Sequence, residues 1–326
     1  MSFSIGSRSR CMTPSIRPML STMTTENAAF AALVAQHKRA LHVHCYRMLA
    51  SYSDADDLVQ ETMIRAWTAR ASYDAETGAS GLRRWLYRIA TNACLDFLKS
   101  APRRVAAQSS AFNEIAWIQP YPDRFLDEEI VAKETIALGY LALIQLLPPQ
   151  QRAVYLCREV LGWSAAETAS LLDISVAAAN SSLQRARETI EENHGRATPA
   201  EPTDSERAVL AAFIDAHQRR DSDAAFALMR EDIRATMPPA PAVFVGAEAM
   251  RPLLVRAFES DMGEWRLVSA WANHQPAAIS YLRAPGDTLF RAFKIDVLRV
   301  EDGRIAEITT FDGNLVPTFG HPDVVS

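Results

Sequence analysis

The spacing of apolar residues changes character along this chain, and that change constrains its fold more than any other feature. From Glu26 to about Arg104, and again from Gly139 to Glu192, apolar side chains return every three or four residues, the period of a helix with one buried face. Beyond the polar stretch RATPAEPTDS, which starts at Arg196, two amphipathic runs between 205 and 230 give way to short β-like segments. These read IRATM, AVFVG, WRLVSAWA, AAISYLRA, LFRAFKIDVLRV and IAEITTF, punctuated by the turn signals APGD and EDG and by a helical run around Glu248 to Phe258. Helices followed by a curved antiparallel sheet make an α+β unit. The chain is therefore expected to be multidomain: an extension (1–25), an all-α domain (26–105), a linker (106–138), a second all-α domain (139–196), a short boundary (197–204) and an α+β domain (205–326).

At 326 residues and 48% hydrophobic content the chain is long enough for two or three cores. A formal net charge of −5 argues against a free-standing nucleic-acid binder, unless charge is segregated along the chain or another subunit supplies most of the affinity. Cys11, Cys45, Cys94 and Cys157 show no paired spacing and read as small hydrophobes in a reducing cytoplasm. No apolar run is long enough for a membrane span. The first two dozen residues, rich in Ser, Arg and Met, read as a disordered tail or as the consequence of a true start at Met19 or Met23.

Residues 163–187, WSAAETASLLDISVAAANSSLQRAR, have a helix-turn-helix layout. Ser164 is expected to cap a helix that turns Ala166, Ala169 and Leu172 inward. Asp173-Ile174 makes the turn, and Ser175 caps a second helix with Val176, Ala179 and Leu183 buried. Small residues at Ala169 and Ala177 would permit a close crossing. The outer face would then present Ser175 at its start, then Ala178, Asn180, Ser181, Gln184, Arg185 and Arg187. Asn and Gln suit adenine edges, Ser either base, and Arg guanine or phosphate.

Upstream, Leu146-Leu147-Pro148-Pro149-Gln150-Gln151-Arg152 places Pro149 at a helix start. In the N-terminal half, Ser53 or Asp54 is the expected cap of the helix in DADDLVQETMIRAW (54–67). The stretch LRRWLYRIATNACLDFLK (82–99) carries Arg83, Arg84, Arg88 and Lys99, and Arg103 and Arg104 lie just beyond. They form a basic cluster on an acidic chain, a track for phosphates. Trp85 and Tyr87 offer faces for an unpaired base, one of the two being expected in the core. Asn92 and Asp96 can bond base edges. The acids Asp54, Asp56 and Asp57 read as first-turn charge, with no metal expected.

Together these motifs resemble regions two and four of the extracytoplasmic-function (group four) sigma-70 family of RNA polymerase sigma factors, over residues 28–195. The resemblance implies two helical sigma domains, core RNA polymerase and promoter DNA as partners, no catalysis and no cofactor, in the cytoplasm and as a monomer when free. It implies that Asp57, Leu58, Gln60, Glu61, Arg65 and Trp67 dock on the polymerase. The segment from Arg83 to Arg104 would bind and open the −10 element, and the helix after Ser175 would read the −35 element. One departure stands out: Asn180 and Ser182 are uncharged where many relatives carry basic residues.

The last domain, through SERAVLAAFIDAHQRRDSDAAFALMREDIRATMP and FRAFKIDVLRVEDGRIAEITTF, resembles the SnoaL-like branch of the NTF2-like cone. It carries FDGNLVPTFGHP where one subgroup of tailed sigma factors has DGGGK, and the linker holds PYPD (120–123). Such a tail is expected to modulate sigma activity, through contact with the sigma domains or a small-molecule ligand. His217, Asp232, His274, Tyr281, Asp296 and Asp312 are its polar candidates, with catalysis the lesser expectation. His274 is expected in a surface loop, and Asp296 facing outward. A helix-turn-helix repressor with a ligand-binding tail is the alternative. It would bind duplex DNA alone and leave DADDLVQET without a role.

Overall fold

In a computed structural model, residues 25–73, 78–100, 117–126, 136–193, 203–259 and 262–326 are described. Arg103, Arg104, the N-terminal extension, most of the expected linker and the 197–202 boundary lie outside them. The first domain comprises α1 (Thr25–Ala35), α2 (Lys38–Leu49), α3 (Tyr52–Thr68) and α4 (Gly78–Ser100). The second comprises α5 (Leu138–Gln145), α6 (Pro149–Tyr155), a π-turn over Leu156–Val160, α7 (Ala165–Leu172) and α8 (Val176–Glu192). Pro149 does occupy the start of α6, where its missing N–H has no helical partner to lose. The cap of α3 is Ser51, accepting from the Asp54 N–H, rather than Ser53 or Asp54. The helix begins at Tyr52, so the acids of DADD already lie within it.

The two helical domains meet around a guanidinium. Arg152, 2% exposed, donates from Nε to Ile144 O at 3.0 Å, and from Nη2 to Gln145 O at 2.9 Å and Leu147 O at 3.0 Å. Its Nη1 donates to Met48 O at the end of α2 and to the Gln145 side chain. Burial lowers its pKa to about 9. Main-chain carbonyls left over at helix ends are thus satisfied by one side chain that bridges the two domains.

The C-terminal domain opens with α9 (Asp204–Arg219) and α10 (Ser222–Ala227). Strands β1 (Met229–Met237) and β2 (Ala240–Val245), helix α11 (Ala247–Glu259), then β3 (Glu264–Ala272), β4 (Gln275–Arg283), β5 (Phe290–Glu301), β6 (Arg304–Asp312) and β7 (Val324–Val325) follow. The strand order is β2-β1-β6-β5-β4-β3, with β7 also on β5. The expected all-antiparallel sheet is corrected at one place: β1 and β6 run parallel, joined through Ala235↔Ile308 and Thr236↔Thr309. Both faces of the sheet are covered. Ala278, Leu298 and Ile308 pack with α9 and α11 in one core, whereas Ile279, Tyr281, Ile295, Val297 and Phe311 join the core of the helical domains. Alternation along each strand therefore sorts side chains between two dry compartments.

The linker supplies the join. The Tyr121 N–H donates to Asn273 Oδ1 (2.7 Å), and the Asn273 N–H returns to Tyr121 O (2.9 Å). Asn273 Nδ2 donates to Tyr46 Oη (3.0 Å) and Ile136 O (2.6 Å), and the Tyr46 hydroxyl donates to Gln119 O (2.6 Å). Asn273 holds φ 56°, a left-handed turn residue between β3 and β4. One side chain of the tail thus touches the first domain, the linker and the entry to α5.

Candidate nucleic-acid and polymerase interface

The helix-turn-helix forms as its caps direct. Ser164 and Glu167 make a reciprocal capping box, Asp173 turns the chain at φ 54°, and Ser175 accepts from the Ala178 N–H at 3.1 Å. The buried stripe of α8 runs through Ala179, Ser182, Leu183, Ala186 and Ile190, a three- and four-residue rhythm. Val176, expected inside, is 46% exposed because it stands at the free first turn, ahead of that stripe. Ala177 is also exposed and takes no part in the crossing, and on α7 it is Thr168, Ala169 and Leu171 that are buried, with Ala166 exposed and Leu172 half-buried.

Ser175, Ala178, Asn180, Ser181, Gln184, Arg185 and Arg187 are all exposed, as the −35 reading requires. Three of them are already oriented. Arg187 donates twice to Glu159 Oε1, at 2.6 and 3.2 Å, Gln184 donates to Glu188 at 3.1 Å, and Arg185 to Ser182 Oγ at 3.3 Å. Glu159, on the π-turn, had no signal in the sequence that would tie it to α8.

On α4, Arg84, Arg88, Asn92, Asp96 and Lys99 recur at four- and three-residue steps and are exposed, with Arg83 beside them. Trp85 is half-buried, packed on Tyr73 at 5.5 Å and Phe30 at 6.4 Å. Tyr87 is the core member of the pair, 3% exposed between His44 and Trp163, and offers no face to a base. Arg84 reaches across to Glu167 of α7 at 2.8 Å. A groove of about 610 Å³ between α4 and α7, lined by Arg84, Arg88, Trp85, Trp163 and Glu167, separates the −10 candidates from the helix-turn-helix.

On α3, Asp57, Gln60 and Arg65 are exposed and Leu58, Glu61 and Trp67 half-buried. Partial burial, then the Asp54 and Asp56 charges, raise the pKa of Asp57. Arg65 pairs with Glu61 (2.8 Å) and approaches Asp96 (3.8 Å), linking the polymerase candidates to those for the −10 element. Ile64 was missed: it is 59% exposed amid those charges. In the sequence it is one more apolar residue in a helical run. Only its exposure separates it from the core.

The tail's six polar candidates do not form one site. Asp232 is exposed and paired with Arg230 (2.9 Å), Asp312 caps the turn after β6, and Tyr281, on the linker-facing side, donates to Pro322 O (2.9 Å). His274 is no free surface residue: its N–H donates to Asp123 Oδ1 of the linker (2.9 Å). Asp296 faces inward, 1% exposed, because both faces of the sheet are covered and alternation leads to no solvent. There it meets Lys294 (2.8 Å) and the Thr310 hydroxyl (2.7 Å). His217 lies beside this pair, its Nδ1 on Phe213 O at 2.8 Å; burial first, then the Lys294 charge, lower its pKa to about 4. A neutral ring bonded in this way is protonated at Nδ1 and keeps a lone pair on Nε2.

Residues 33–104 match the Sigma-70 region 2 family, residues 138–190 Sigma-70 region 4, and residues 210–308 the SnoaL-like domain. The ECF RNA polymerase sigma factor SigG of Mycobacterium tuberculosis (strain CDC 1551 / Oshkosh) is 37% identical over 316 residues, covering 90% of this chain and 84% of the relative. SigW of Bacillus subtilis (strain 168) is 31% identical over 165 residues, 50% of this chain and 87% of its own. The crystal structure of the M. tuberculosis extracytoplasmic function sigma factor SigJ superposes with a TM-score of 0.55 at 21% identity, over 87% of this chain and 95% of that one, a likeness of fold. With both sigma regions in order and a relative matched along nearly its whole length, the chain belongs to the ECF RNA polymerase sigma factors.

Proposed function

We propose that this chain binds core RNA polymerase through α3, opens the −10 element with α4 and reads the −35 element with α8. We propose further that its own C-terminal domain modulates that activity. The observation that carries the first part is the outer face of α8: a run of exposed Asn180, Ser181, Gln184, Arg185 and Arg187 on a helix capped at its base-reading end. Poor in Lys, that face needs a polymerase to bring it to DNA, which suits an acidic chain. The Asn273 join supports the second part, because a tail hydrogen-bonded to the linker and to the first domain is placed to resist their separation.

Within the tail, the Asp296–Lys294–Thr310 set with His217 favours binding or structure over catalysis. Both charges are already mutually satisfied, and His217 spends its N–H on its own helix. Run-off transcription with core polymerase tests the whole reading. The full chain should yield a promoter-specific transcript, and a chain ending before residue 203 should give a different yield from the same template. Absence of any promoter-specific transcript, with tight duplex binding by the free chain, would overturn it.

A further inference from the structure

A second groove, of about 400 Å³, opens where the linker meets the tail. Four separate segments wall it: Pro122 to Arg124 of the linker, Arg207 of α9, Trp271 of β3, and Phe319 with His321 near the C-terminus. Its floor is apolar and partly aromatic. Its rim carries two guanidinium groups, Arg124 from the linker and Arg207 from the tail.

Arg124 is fixed in place. Its Nη2 donates to Thr318 O at 2.8 Å, and its guanidinium lies 4.4 Å from the Phe125 ring centre. Gly320 makes room for it: φ is +82°, and a Cβ there would fall 2.0 Å from Arg124 Nη1. The guanidinium of Arg207 lies 5.9 Å from the Trp271 ring centre, and its Nη1 is 3.9 Å from Oδ1 of the exposed Asp204, a pair that solvent screens. Asp123, the one carboxylate in the lining, is turned away from both: Oδ1 accepts the His274 N–H at 2.9 Å and Oδ2 lies 3.5 Å from His274 Nδ1. Burial pushes its pKa up to about 6, so near pH 7 it remains largely a carboxylate, held by the His274 N–H.

A partly aromatic floor with a guanidinium on the rim from each of two segments is complementary to a planar ring bearing a carboxylate. We propose that this groove binds a small aromatic carboxylate, its ring against Trp271 and its carboxylate held by Arg124 and Arg207. Because one arginine belongs to the linker and the other to the tail, the ligand ties the two together. Its consequence for transcription rests on the modulation reading above, whereas the binding itself does not.

Calorimetric titration of the full chain, without polymerase, tests the site. Indole-3-carboxylate is the probe, with indole-3-carboxamide as its uncharged twin and inorganic phosphate as a bare anion. Saturable one-to-one binding of the carboxylate is expected. It should weaken about tenfold or more for the carboxamide and in Arg207→Ala, the scale of losing a charge-assisted hydrogen bond. Arg207 is exposed, so this variant keeps the fold, and Trp271→Ala should lose binding as well. Absence of saturable binding, or binding indifferent to Arg207→Ala, overturns the assignment. Phosphate binding as tight as the carboxylate's also overturns it, by showing that the ring is not read.

Discussion

Two contacts hold parts of this molecule together by opposite means. At the linker–tail join, Asn273 is 0% exposed and Tyr121 1%, and the bonds between them run to main-chain groups out of reach of water. At the contact between α4 and α7, the side chains of Arg84 and Glu167 are 48% and 39% exposed. A buried donor without a partner costs about 1–3 kcal/mol, whereas an exposed ion pair contributes about 0–1 kcal/mol. The tail is therefore fastened by buried hydrogen bonds, whereas the Arg84–Glu167 pair adds little to a contact between the helical domains that buried Arg152 and the Tyr87–Trp163 packing already make.

The sharpest way to break that contrast is Asn273→Ala. It strands the Tyr121 N–H and removes the donor to Ile136 O, so a loss of about 2–3 kcal/mol is expected in urea unfolding of the full chain. A loss below about 1 kcal/mol would show that the join is no stronger than the surface pair. Arg185→Ala separates stability from reading: initiation that depends on the −35 element should weaken by about 1–3 kcal/mol with unfolding unchanged. Equal loss on every −35 sequence would mark a phosphate contact.

Acid should loosen the first domain and the join differently. Burial lowers the pKa of His44 to about 3 from the usual 6.5, so the unfolded chain takes up its proton first. That stability is present above pH 6.5 and declines as pH falls toward 3, at about 1.4 kcal/mol per unit. Asp123 works the other way: its raised pKa means the folded chain binds the extra proton, and its contribution declines as pH rises from 3.8 to about 6. Unfolding of His44→Gln, followed from pH 7 to 5, should show a shallower slope than the parent. An unchanged slope would rule His44 out as its source. Smallest of all, Arg84→Ala should shift the unfolding of the free chain by about 0–1 kcal/mol, and a larger shift would remove the contrast between the two contacts.

Much of this architecture was legible because local chemistry announces it. Ser164 and Ser175 cap their helices as expected, and each β-like run became a strand. What stayed hidden depends on partners far along the chain. Alternation could not say that both faces of the sheet are covered, so Asp296 read as solvent-facing. Nothing near Asn273 points to a linker about 150 residues away, since its hydrogen bonds are made only once the domains have met. Arg152 was legible as part of a motif but not as the cap on α2, and in the helical period Ile64 is indistinguishable from a core residue although it is exposed.

Glu167 answers to two neighbours at once. It closes the cap of α7, accepting from the Ser164 N–H at 2.9 Å, and it also receives Arg84 at 2.8 Å. If a DNA phosphate claims Arg84, the carboxylate keeps Ser164 and the helix keeps its first turn. The handover then leaves no frayed end behind: a helix can release its neighbour and arrive at the promoter already folded.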